Sequence, residues 1–262
     1  MINKPMMGVA AAVVVMAAGT WYYLHNRHVE TPHVTAQPPP RAAPDESAIE
    51  HPVPAGAETA AGGPLPTLAD SDAPLIDALV KIAGASAVKE YLLPDSIIRH
   101  WVVTIDNLPR QKVAVQKRPI APVNGSFAAD GDELHATLDA QNYARYQPLV
   151  AAASKLDTQQ LTAVYIRFYP LFQQAYQDLG YPNGYFNDRL VQVIDNLLAA
   201  PQPAGPIALV RPNVMYTFAD PALESRSAGQ KLLIRMGPDN AAAIKAKLKE
   251  LRAAITAAPP KR

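Results

Sequence analysis

The sequence predicts a mainly α-helical, compact domain with one small β-hairpin, preceded by an N-terminal transmembrane helix and a disordered Pro/Ala-rich linker. Three observations predict it. Apolar residues recur at spacings of three and four through most of residues 67–258. Gly and Pro punctuate those runs. The residues before 67 have a different, biased composition. The boundaries read as a short cytoplasmic tail at 1–5, an anchor at 6–24, a linker at 25–66, the domain at 67–258 and a tail at 259–262.

The chain has 262 residues, no cysteine and a formal net charge of +1. The region after the linker is long enough to bury a core without disulfides or metals. A near-neutral balance argues against a nucleic-acid partner, which calls for a strongly basic face. Met6 to Leu24 is an uncharged run of 19 residues, about the length that spans a bilayer as a helix. Trp21, Tyr22 and Tyr23 close it, where interfacial aromatics belong. A cleavable signal peptide with small residues at Ala17-Ala18-Gly19 is the rival reading, and the bulky aromatics just beyond disfavour it. Lys4 and the free amine oppose Arg27, His25 and His28, so charge bias is nearly balanced. The short N-terminal end then stays in the cytoplasm and the large domain faces the periplasm from the inner membrane.

Val29 to Pro66 holds nine prolines and eight alanines with no apolar periodicity. Such a segment cannot offset the entropy of folding and reads as a tether. Leu75, Leu79 and Ile82 make the first helical stripe, after caps at Asp70-Ser71-Asp72 and before Gly84. A short helix at 87–92 comes next. Asp95 to Leu108 is the next strong helix, with Asp95 as cap, Ile97, Ile98, Trp101, Val102, Ile105 and Leu108 on one face, and Arg99 and Asp106 on the other. Arg110, Lys112, Lys117 and Arg118 form a basic loop, read as solvated. A hairpin is placed at Ser126–Thr137 about an Asp130-Gly131 turn.

Asp139 to Lys155 reads as helical, with Pro148 disturbing it. Asp157 then caps a long aromatic helix in which Leu161, Tyr165, Phe168, Tyr169, Phe172, Tyr176 and Leu179 share a face, with Pro170 inside it. Gly180 and Tyr181-Pro182-Asn183-Gly184 provide a stop and a turn. Another helix runs from about Asn187, with Leu190, Val193, Ile194, Leu197 and Leu198 apolar, so the two pack as an antiparallel hairpin. Residues 201–218 are extended. Helices open again at Asp220-Pro221, at Ser227 and at Pro238.

The strings Ile98–Leu108, Tyr165–Tyr176, Leu179-Gly180-Tyr181-Pro182 and Ser227–Asn240 (SAGQKLLIRMGPDN) resemble a bacterial family catalogued as domain of unknown function 3014. The resemblance covers nearly all of residues 65–254. It implies a single-pass envelope protein of Gram-negative bacteria with a proline-rich linker, and it brings no activity or catalytic residues.

Chemistry-bearing patterns are sparse. Four of six histidines lie before the domain, leaving His100 and His135 without a triad motif. There is no phosphate loop, HExxH or G-x-S-x-G, and no motif for a cofactor or metal. Asp130-Gly131-Asp132-Glu133 is too short for a calcium loop. Asp106, Asp195 and Asp220 stand near helix boundaries, and of these Asp106 and Asp195 are the candidates for a carboxylate pair acting on glycan. Tyr181, Tyr185 and Phe186 in the turn, with Arg167 and Arg211, are candidates for a ligand or partner surface. The leading expectation is a non-catalytic binding or scaffolding module of the cell envelope with a protein partner. The alternative is a cell-wall hydrolase or peptidoglycan binder.

Overall fold

The computed structural model describes residues 49–54, 64–132, 135–212 and 214–257. All fall in the unit Glu46–Arg262. The anchor at 6–24 and most of the linker lie outside the described residues. Among the described residues no helix is long and apolar enough to cross a membrane.

Among the described residues the element order is α1 (Asp72–Ala83), α2 (Ala85–Tyr91), α3 (Ile97–Asn107), a 3-10 turn (Val115–Lys117), β1 (Ala129–Asp130), β2 (Thr137–Leu138), α4 (Gln141–Lys155), α5 (Thr158–Asp178), α6 (Phe186–Leu198), β3 (Leu209–Val210), β4 (Thr217–Phe218), α7 (Pro221–Glu224), α8 (Ala228–Arg235) and α9 (Pro238–Ile255). The domain is mainly helical, as the periodicity requires.

The caps explain the helix starts. Asp157 accepts from the Gln160 N–H, Asp220 from Ala222 and Ser227 from Gln230. At α3 the expected cap is replaced. The Asp72 carboxylate, from the first turn of α1, accepts from the Ser96 and Ile97 N–H groups at 2.7 and 2.8 Å. This holds Ser96 at φ 49°, a left-handed conformation unusual for a residue with a Cβ.

The principal core lies between α1, α3, α5 and α6 and contains Leu75, Ile97, Ile98, Val102, Phe168, Leu171, Phe172, Tyr176 and Phe186. Helix α5 continues through Pro170. Its aromatic stripe meets the rings of the following turn. Phe172 stacks on Phe186 at 5.6 Å, Tyr176 on Tyr181 at 4.5 Å, and Tyr169 lies 5.6 Å from Tyr185. Burial pushes the Tyr165 and Tyr169 hydroxyls far above the ordinary tyrosine range. Helix α9 crosses α4, α5 and α6, and Ile255 packs with Val191 and Ile194.

The β structure is shifted and doubled relative to the predicted hairpin. Ala129 pairs with Leu138 and Asp130 with Thr137, so Asp130 ends a strand instead of centring a turn. The extended stretch 201–218 supplies a second antiparallel pair, Leu209 with Phe218 and Val210 with Thr217. A Thr137–Ala208 bridge joins the two. Two-residue strands carry too little alternation to announce themselves in sequence. Asn142, almost wholly buried, ties β1 to α4 by donating to the Ala128 and Asp139 carbonyls and accepting from the Ala128 N–H.

Gly237 shows what backbone freedom the packing demands. It sits at φ +88°, and a Cβ there would come within 2.5 Å of the Tyr143 ring. Gly84 has a similar φ of +82° with open space around it. Replacing each with alanine separates conformational strain from collision: with ψ of 149° and 163° both lie where a Cβ is poorly tolerated, and thermal unfolding should show a loss of about 2 kcal/mol for Gly84→Ala and roughly 4 kcal/mol for Gly237→Ala. Equal losses would mean the Tyr143 contact is dispensable.

Candidate functional site

Asp106 is the most constrained of the candidate residues. The expectation that it faces away from the core is corrected: it is 3 % exposed. Ile98, Val102 and Asp106 succeed one another at intervals of four, so they share one stripe of α3, and the carboxylate enters the interior with it. Burying a charge requires partners. Arg110 donates to Asp106 Oδ2 at 2.6 Å, and Arg189 donates through Nε to Oδ1 at 3.1 Å. Arg189 also reaches the Asp106 backbone carbonyl at 2.8 Å. The Tyr181 hydroxyl lies 3.2 Å from both carboxylate oxygens.

The node therefore joins three places: the end of α3, the turn after α5 and the first turns of α6. Attraction to Asp106, above all, raises the Arg110 guanidinium further above its already high range. Arg110 remains exposed, as the solvated-loop reading expects, with its side chain 51 % accessible, but its guanidinium is committed to Asp106. The backbone here is also used, since the Leu108 and Arg110 carbonyls accept from the Gly229 and Ala228 N–H groups that open α8.

Asp195 is committed differently. Arg252 of α9 meets it with two hydrogen bonds, at 2.6 and 2.9 Å, and both side chains are substantially exposed. The Arg252 hydrogen bond lowers the Asp195 carboxyl below the usual aspartate range. A depressed folded value means that this pair stabilises the fold above the ordinary aspartate range and loses its contribution as pH falls through the lowered value. Asp220 serves as the α7 cap.

The aromatic candidates are largely internal. Phe186 is fully buried, which corrects its assignment to a partner surface. Tyr181 is half-buried, stacked on Tyr176 and hydrogen-bonded to Asp106. Arg167 lies 5.6 Å from the Phe168 ring and Arg211 5.6 Å from the Tyr216 ring. Neither forms a salt bridge among the described residues. No three His, Asp or Glu side chains among the described residues converge as metal ligands.

Two surfaces were read from the sequence only through one residue each, Arg211 in the first and Tyr185 in the second. The first is the tip of the β3–β4 hairpin. Val214 and Met215 are 77 % and 75 % exposed, beside exposed Val210 and Arg211, while Phe127 lies 5.7 Å from Tyr216 at its base. An apolar Val-Met pair where a hairpin tip ordinarily carries polar residues was the available signal.

The second is a piece of the linker, Ile49–Pro54, which is seated on the start of α6. Asp188 accepts from the Glu50 N–H at 3.2 Å and the His51 N–H at 2.6 Å. The Tyr185 hydroxyl accepts from the Val53 N–H at 3.1 Å. Asn187, fully buried, donates to the His51 carbonyl at 2.8 Å and the Ile255 carbonyl at 3.2 Å and accepts from the Tyr165 hydroxyl at 2.9 Å. The two bonds to the Asp188 carboxylate contribute about 1.5–3 kcal/mol each and the two to Tyr185 and Asn187 about 0.5–1.5 kcal/mol each, against a cost of about 1–2 kcal/mol for each residue ordered. Pro52 and Pro54 reduce that cost by fixing φ in advance. Gain and cost are of one size, so this strap belongs to the weakly held end of the molecule.

The two aspartates should separate cleanly by mutation. Asp106→Asn should lower stability by about 3 kcal/mol in denaturant titration, because it strips a buried partner from two arginines. Asp195→Asn should cost under about 1 kcal/mol at neutral pH, and that difference should vanish in strong acid. An Asp106→Asn protein as stable as the parent would mean the node is not structural.

The family comparison meets this geometry directly. A family model described as a protein of unknown function (DUF3014) matches residues 97–252. No curated protein and no solved structure matches the chain. The matched span opens at the first residue of α3 and closes at Arg252 of α9, so it contains Asp106, Arg110, Tyr181, Arg189 and the Asp195–Arg252 pair. The SAGQKLLIRMGPDN string has structural work throughout. Ser227 caps α8, Gln230 donates to the Asn196 carbonyl, Lys231 pairs with Glu224 at 2.7 Å, and Asn240 donates to the Tyr143 and Met236 carbonyls. With more than half of its length inside that match, the chain belongs to the DUF3014 family of proteins of unknown function.

Proposed function

We propose that this domain is a non-catalytic binding module of the bacterial envelope, held to the inner membrane by residues 6–24 and displayed in the periplasm on the Pro/Ala-rich linker. Its partner is an envelope protein, and the contact is made by the β3–β4 tip. The observation that carries this reading is the exposure of Val214 and Met215 at the end of a hairpin whose base is buried through Leu209 and Phe218. Exposed apolar side chains gathered in one contiguous patch, as Val210, Val214 and Met215 are along this hairpin, favour a protein contact. Arg211 beside them adds a cation suited to the polar rim of such an interface.

The glycan-hydrolase alternative finds little support in its own residues. Asp106 is buried and paired with Arg110 and Arg189, and Asp195 is bridged to Arg252, so neither is a free acid facing a cleft. The anchor and the periplasmic address rest on the uncharged run at 6–24 and its aromatic end.

A photo-crosslinking residue placed at Val214 or Met215 of the full-length protein in intact cells should trap one or two reproducible proteins. The same residue at exposed Asp130 should trap none of them. Val214→Glu with Met215→Glu should reduce that capture at least about tenfold while leaving thermal stability within about 0.5 kcal/mol. Adducts consisting of wall fragments alone would overturn the protein-partner reading.

A further inference from the structure

The strap contact has a property that a passive spacer does not require. Its polar recognition runs through the strap's backbone. The Glu50, His51 and Val53 N–H groups and the His51 carbonyl make the hydrogen bonds, and the prolines at 52 and 54 occupy positions whose N–H is not called upon. The receiving groups come from Tyr185, Asn187 and Asp188, with the buried Phe186 between, at the start of α6. Asn187 is itself held in place: its Oδ1 accepts from the Tyr165 hydroxyl and its Nδ2 also reaches the Ile255 carbonyl. The seat is thus rigid, while its occupant is bound by marginal forces.

We propose that this edge of α6 is a receptor for an extended peptide, occupied in the resting protein by the chain's own Glu50–Val53, and that the strap is releasable. The ligand class is an extended segment offering two adjacent backbone N–H groups, a proline, then one further N–H. Release opens the receptor.

The test is hydrogen exchange on the full-length protein in detergent, which reads the seat whether or not the hairpin partner exists. The Glu50, His51 and Val53 amides should exchange at least about tenfold more slowly than in an unstructured chain. Asp188→Asn should release them while Val191–Ile194 keep their protection. A second variant, His51→Pro with Val53→Pro, removes two of the strap's three backbone donors and leaves the α6 sequence unchanged. A synthetic amidated peptide of residues 47–56 should bind that variant saturably. It should bind the parent at least about tenfold more weakly, because the tethered strap competes at an effective concentration near the millimolar range. Strap amides exchanging at unstructured rates in the parent, equal peptide binding to both proteins, or no binding to the variant at millimolar peptide would each overturn the proposal.

Discussion

A carboxylate taken out of water must be met by charge and hydrogen bonds, and in this protein that requirement organises the fold. Asp106 rides the apolar stripe of α3 into the interior, and its partners come from places far apart in the chain. Arg110 lies one turn beyond it, Tyr181 lies in the turn after α5, and Arg189 lies in α6. Satisfying one carboxylate therefore fixes α3, the aromatic turn and α6 against each other. The apolar core gives most of the favourable free energy of such a domain, but it is non-directional. The ion-pair node supplies direction.

The aromatic stack works alongside it. Tyr181 belongs to both systems, stacked on Tyr176 and hydrogen-bonded to Asp106. Gln173 does similar work one turn earlier, donating to the Gly184 carbonyl and accepting from the Phe186 N–H and the Tyr169 hydroxyl. The loop between α5 and α6 is thus tied down by side chains of the helix that precedes it. Tyr181 and Phe186, which looked like a binding surface because aromatics in a turn are so often exposed, instead help close the core, whereas Tyr185 receives the Val53 N–H of the strap. The most exposed large apolar residues among those described, Val214 and Met215, are on the β3–β4 tip.

Much of the fold was legible in the sequence for simple reasons. Long amphipathic stripes and capping residues report helices locally, so α1, α3, α5, α6 and α9 emerge from spacing alone, and Asp157, Asp220 and Ser227 cap as their chemistry requires. The two-residue strands were harder, because their pairing is set by long-range contacts such as the Thr137–Ala208 bridge. Asp106 was misplaced because its charge outweighed its position in the stripe. The four-residue interval from Ile98 and Val102 was there to be read, whereas the matching arginine in α6 was not, since nothing local links residues 106 and 189. The strap illustrates the same limit. His51-Pro52-Val53-Pro54 reads as spacer by composition, and its receptor lies more than a hundred residues away.

The dependence of the fold on the Asp106 node is tested most directly by a double-mutant cycle between Asp106→Asn and Arg189→Gln, with denaturant unfolding as the readout. If the node couples α3 to α6, the loss in the double variant falls short of the sum of the two single losses by about 1.5–3 kcal/mol. Losses that simply add would show that the two side chains act independently, and that packing alone holds these helices together.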